Sequence, residues 1–104
     1  MQLSKNLEQA LIEEYQKRFD AAREVEVVSV VVEREGLELT AVVKGKHGEY
    51  AVFLTPTSAY CSCMDFRTRK RICKHIIAAA LAAAEQGYIS EFELATLLVG
   101  REIA

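Results

Sequence analysis

No apolar run in this sequence approaches the roughly 20 residues needed to cross a bilayer; the longest, residues 76–84, falls far short. The opening stretch MQLSKNLEQALIEEYQKRF interrupts its apolar residues with charged ones throughout, so it does not read as a secretory leader. Positive charge is not in excess either: the formal net charge is −2 and the pI about 5.7. A protein that coats nucleic acid through its overall charge is thereby excluded, and any basic site must be local. Cysteines are few and odd in number, three between positions 61 and 73. In a compartment that keeps thiols reduced, this favours metal ligation over a disulfide framework. There is no phosphate-cradling glycine loop and no nucleophile arrangement, and Glu13 and Glu14 lie on a polar helix face, so an enzyme is not expected. Repeats and low-complexity linkers are absent too. The expectation is one domain spanning residues 1–104, cytoplasmic or nucleoid-associated, with no membrane partner.

What is present is ample material for a core. Of 104 residues, 51% are apolar and 27% charged, which carries none of the marks of disorder. A chain this short hides only about two thirds of its unfolded surface. So much apolar content therefore hints at a habitual interface with a partner protein or a second copy.

Leu3, Leu7, Leu11, Tyr15 and Phe19 recur every four residues, with Glu8, Glu13, Lys17 and Arg18 on other faces, and Ser4 is placed to cap the start. This reads as one amphipathic N-terminal helix. From Val25 the pattern turns β-branched, VEVVSVVVE, then a turn at Gly36, then LELTAVVK, then a turn at 45–48, then YAVFL. Only short turns separate these runs, so the expected sheet is a three-stranded antiparallel meander. Pro56 breaks the third strand, and residues 59–63 form a short extended piece before a basic loop. Residues 76–86 are rich in alanine and stop at Gly87. Ser90 with Glu93 makes a capping-box signature for a last helix containing Phe92, Leu94, Leu97 and Leu98, with Gly100 as its stop. The fold class is α+β, with an N-terminal helix, the sheet, a metal-tied segment and two C-terminal helices.

The metal-tied segment is Cys61-Ser62-Cys63, nine intervening residues, then Cys73-Lys74-His75. Two cysteines one residue apart on extended chain point to the same side and can reach one ion. Cys73 and His75 fall at the start of the alanine-rich helix, whose positive end favours thiolates. Three thiolates and an imidazole fill the tetrahedral preference of Zn²⁺, so one structural zinc is expected with no position open for an activated water.

At these residues the chain resembles the SWIM zinc finger, whose pattern is CxC, a variable gap, then CxH. Cys73, His75 and Ala78 also meet the extended form CxHxxA of Shu-type SWIM proteins, which places the motif at residues 61–78. The resemblance implies a DNA-binding or protein-binding module. A freestanding small SWIM protein looks most like the Shu-type partners of RecA-family recombinase paralogs, which act in homologous recombination repair, so a non-catalytic adaptor role is implied.

Two further features bear on partners. Arg67, Arg69, Lys70, Arg71 and Lys74 stand against Asp65 alone, so residues 65–75 carry +4 while the remainder of the chain carries −6. These cations can grip phosphates, giving weak, salt-sensitive binding to DNA, or they can balance the thiolate-rich site. Phe92, Leu94, Leu97 and Leu98, beside the alanine-rich helix, are the expected apolar anchors of a protein interface; the competing account is that they complete the core. His47, isolated in a turn, is expected to be solvated.

Overall fold

The computed structural model describes residues 3–99. Their order is α1 (Lys5–Tyr15), α2 (Lys17–Ala22), β1 (Glu26–Glu33), β2 (Glu38–Gly45), β3 (Gly48–Leu54), β4 (Ala59–Cys61), α3 (Met64–Arg69), α4 (Lys74–Glu85) and α5 (Glu91–Leu98). The α+β class stands, with three corrections to the elements expected.

The N-terminal helix is broken in two. Gln16, with φ 51° and ψ −121°, separates α1 from α2. A repeat of four on a helix of 3.6 residues per turn rotates by about 40° at each step, so a straight helix would carry Phe19 nearly to the opposite side from Leu3. The break resets the direction, and Leu7, Leu11, Tyr15 and Phe19 are all buried. Ser4 caps α1 as expected, its hydroxyl accepting from the Leu7 N–H at 3.3 Å.

The sheet has four strands rather than three. They pair antiparallel in the order β1-β2-β3-β4, and the short piece after Pro56 joins as β4, with Val52 opposite Cys61 and Phe53 opposite Tyr60. The turn that makes this pairing is held by Thr55, whose hydroxyl accepts from the N–H groups of Thr57 and Ser58 at 3.2 and 2.9 Å. Its backbone N–H donates to the Ser58 carbonyl at 2.8 Å. Local side-chain bonding of this kind turns the chain where proline has ended the strand.

The inner sheet face presents Leu39, Ala41, Val43, Val52, Leu54 and Cys61, all buried, and α4 lies across it with Ile76, Ile77, Ala79, Ala80 and Ala83 fully buried. Alanine on that face lets the helix approach the sheet closely. Gly87, at φ 80°, ends α4 in the left-handed conformation that glycine adopts without strain. Both halves of the Ser90–Glu93 capping box are formed at the start of α5. The expected stop at Gly100 lies outside the described residues. Leu94, Leu97 and Leu98 are completely buried, and the Tyr15 hydroxyl donates to the Leu98 carbonyl. Those three leucines, expected at an interface, complete the chain's own core because α5 packs on α1 and α4. Phe92 alone of the four is exposed, at 80%. No helix among the described residues is long and apolar enough to cross a membrane.

Candidate metal centre

Cys61 closes β4, Cys63 is the N-cap of α3, Cys73 is the N-cap of α4 and His75 lies in the first turn of α4. Cys61 faces inward because its register partner Val52 does, and one residue later the chain leaves the sheet, so Cys63 returns to the same side. Cys73 takes an extended backbone, φ −100° and ψ 171°, and turns its side chain toward the strand end. The three Sγ atoms and one ring nitrogen of His75 all lie within 4.8 Å of one another, and all four residues are buried. His75 Nδ1 is 3.9 Å from the Sγ atoms of both Cys61 and Cys73. A regular tetrahedron with Zn–S near 2.3 Å would set neighbouring donors about 3.5–3.8 Å apart, so a small contraction completes the coordination shell.

The donor chemistry fits zinc. None of the cysteines is in a disulfide, and three buried sulfurs with one imidazole nitrogen have each other as neighbours. The hydrogen bond from Cys61 holds the Cys73 thiol down to about 4 against the effect of burial, with His75 and the Ile76 N–H assisting. The same hydrogen bond, and then burial, push Cys61 far above the ordinary thiol range, and burial pushes Cys63 up as well. A divalent ion at the centre replaces those shared protons and favours the thiolate at all three. Backbone donors already point at the site: the Phe66 N–H reaches Cys63 Sγ at 3.4 Å, and the N–H groups of Cys63 and Ile76 bond Cys61 and Cys73.

Residues 50–84 match the family model of the SWIM zinc finger. Over those residues the chain is similar to the SWIM zinc finger, and its four clustered ligands follow that finger's CxC and CxH pattern. The match starts at Tyr50, runs through β4 and α3 and ends inside α4, so it covers all four ligands. No curated protein and no solved structure gives a significant match. The SWIM segment holds one structural zinc ion through Cys61, Cys63, Cys73 and His75. Ala78, one turn beyond His75, is buried and lets α4 sit close beneath the site.

Sequence reasoning missed the supports of this finger. The Tyr50 ring lies over His75, with centroids 4.8 Å apart and planes at 42°. Tyr50 was legible as an inward strand residue, yet only the crossing of α4 beneath β3 brings it to the imidazole. Gly45 makes room for that ring, since a β-carbon there would lie 2.4 Å from it. Arg18 of α2 donates to the Ile72 carbonyl just before Cys73, tying the N-terminal helices to the second half-site.

The expected basic loop is a correction too. Residues 64–69 form the helix α3, because Cys63 caps it, Phe66 buries its inner face and Asp65 pairs with Arg69 at 3.4 Å one turn on. Lys70 ends it in the left-handed region at φ 55°. Arg67, Arg69, Lys70, Arg71 and Lys74 are all exposed. Lys17 and Arg18 extend the basic surface on the α2 side, where with Asp65, Cys73, Lys74 and His75 they line a hollow of about 300 Å³. His47 is exposed in its turn.

Proposed function

We propose that this chain is a non-catalytic, zinc-built binding module that holds the phosphate backbone of nucleic acid with the basic surface of α3 and its exit. The observation that carries this reading is that Arg67, Arg69, Lys70, Arg71 and Lys74 are all exposed, the first four on the segment held between the zinc ligands Cys63 and Cys73 and Lys74 on the residue after it. Balancing the thiolates does not require all of them, because three thiolates, a neutral imidazole and Zn²⁺ sum to about −1. The remainder of the chain carries a net −6, which disfavours a polyanion over most of the other surface and orients it onto this face.

The test is fluorescence anisotropy of a labelled DNA with the zinc-loaded protein across a salt series. With Arg69 shared with Asp65, about four phosphate contacts are available, so log K should fall with log salt at a slope of about −3 to −4, and binding should be weak at physiological salt. Changing Arg67, Arg69, Lys70 and Arg71 together to Gln should abolish it while zinc is retained. Binding unaffected by those changes would sink the reading.

The adaptor role implied by the resemblance, with a recombinase paralog as partner in homologous recombination repair, is a second proposal. It retains one exposed anchor, Phe92, flanked by the half-exposed Tyr88. Phe92→Ala should leave the melt unchanged and abolish capture of such a partner if that role holds.

A further inference from the structure

Among the described residues, no helix is packed across the outer face of the sheet. Strand alternation puts Val31, Thr40, Phe53 and Tyr60 on that face in one cross-strand row, opposite in pleat to the half-buried Val32 and the buried Leu39, Leu54 and Cys61. α4 covers the inner face, and α3 stands beside β4. Tyr60 is 47% exposed although it adjoins the core, and its ring meets Phe66 of α3 edge-on, with centroids 5.8 Å apart and planes at 72°. Phe66 is the inward residue of the helix that carries Arg67, Arg69 and, at its cap, Lys70. The exposed Tyr60, with the half-buried Phe53 beside it, and the most basic segment of the chain are therefore contiguous.

We infer that this juxtaposition binds single-stranded nucleic acid, with a base stacked on Tyr60, extending toward Phe53, and the phosphates on the cations of α3. This rests on the phosphate-binding reading above and adds the class of nucleic acid. Three features argue for it. An unpaired strand offers the π-face of its bases, which a duplex keeps inside its own stack, and base-on-aromatic stacking is sequence-tolerant. The row of Tyr60 holds no charge, whereas the carboxylates Glu33 and Glu38 lie further along the same face on β1 and β2, so they confine a polyanion to the β4 edge. A second copy docking through the same face would bring two basic helices together across a two-fold axis, and that repulsion disfavours it.

The experiment compares a labelled oligothymidine with a duplex of the same length, using the full zinc-loaded chain. Oligothymidine should bind more tightly than the duplex. Tyr60→Ala should weaken oligothymidine binding by about 5- to 100-fold, the range for losing one stacked base, and leave duplex binding unchanged, while Tyr60→Phe keeps both. Because Tyr60 supports Phe66, the variants are checked for zinc content and melting. A second measurement needs no variant: an oligonucleotide carrying 5-iodouracil, irradiated on the unaltered protein, should form its adduct at Tyr60 or Phe53. Equal affinity for strand and duplex, or adducts only at other residues, overturns the inference and leaves phosphate binding standing. Loss of both kinds of binding in the Arg67/Arg69/Lys70/Arg71 variant alone supports the shared electrostatic base, whereas no binding of either by the unaltered chain overturns both. Self-association that Tyr60→Ala abolishes would reassign the face to a second copy and overturn the inference as well.

Discussion

At Gly45 a side chain would collide with the Tyr50 ring, and that ring is what lies over the imidazole of His75. A residue outside the motif thereby controls the orientation of a ligand inside it. Groups that orient a metal's ligands are commonly worth 10- to 100-fold in affinity. Gly45→Ala is accordingly expected to lower zinc affinity about tenfold by displacing Tyr50, with β2 and β3 still paired. Competition against a chromophoric chelator measures this, and an affinity equal to that of the unaltered chain would show that the ring contact plays no part in holding His75. Gly45 was readable in the sequence as a turn residue only, because its second duty depends on which ring crosses the hairpin.

Among the elements, α4 belongs to two structures at once, its first turn to the finger and its remaining turns to the core beneath the sheet. Loss of the metal should separate them. Cys73→Ser removes one thiolate from a closed site, and hydrogen exchange should lose protection mainly over residues 59–75, while the buried later turns of α4 remain protected. Loss reaching equally through residue 86 would mean that the zinc, rather than the sheet contact, holds the helix. A second tie is electrostatic. Arg34, in the β1–β2 turn, meets Glu93 of α5 at 2.6 Å and also donates to the Tyr88 carbonyl at 2.8 Å. The hydrogen bond to Arg34 and then that from the Ser90 N–H hold the Glu93 carboxyl below its ordinary value of 4.5. A depressed carboxylate contributes stability that is present above the ordinary value and lost as pH falls through the lowered one. Glu93→Gln, which can still accept from Ser90, should therefore melt lower than the unaltered chain at neutral pH, and the two melts should converge in acid. Ser90→Ala should instead cost about 1 kcal/mol, a shift of about 4–8 °C, with little dependence on pH. A gap between Glu93→Gln and the unaltered chain that persists below pH 3 would remove Arg34 as its cause.

For the molecule as a whole, the apolar surplus that hinted at a partner is largely consumed inside. Leu94, Leu97 and Leu98 are buried under α1 and α4, and a chain with a stability of about 5–15 kcal/mol cannot absorb a charge there. Leu97→Asp is thus expected to collapse the melt of the isolated protein. An unchanged melt with altered association by light scattering would return these residues to an interface. Among the described residues the large apolar side chains left exposed are scattered, Ile12 on α1, Val28 and Val31 on β1, Tyr60 on β4, Met64 on α3, and Tyr88 and Phe92 near α5, with Phe53 half-buried beside Tyr60.

The zinc ligands, the strands up to Leu54, the alanine-rich helix and the capping box of α5 were all legible in the sequence by itself, because each rests on local spacing. CxC on extended chain and CxH at a helix start need little more than backbone geometry to converge, and Ser90 finds Glu93 within one turn. What only the tertiary structure decided has a common cause, which is that it turns on a neighbour distant in the chain. Gln16 breaks the first helix to keep a drifting stripe on the core. The residues after Pro56 become a strand because β3 has a free edge to offer. The basic segment becomes a helix because Phe66 finds Tyr60 to pack on. The leucines of α5 are core and not interface because α1, some 80 residues earlier, folds back over them, and no periodicity within α5 encodes which surface will be waiting.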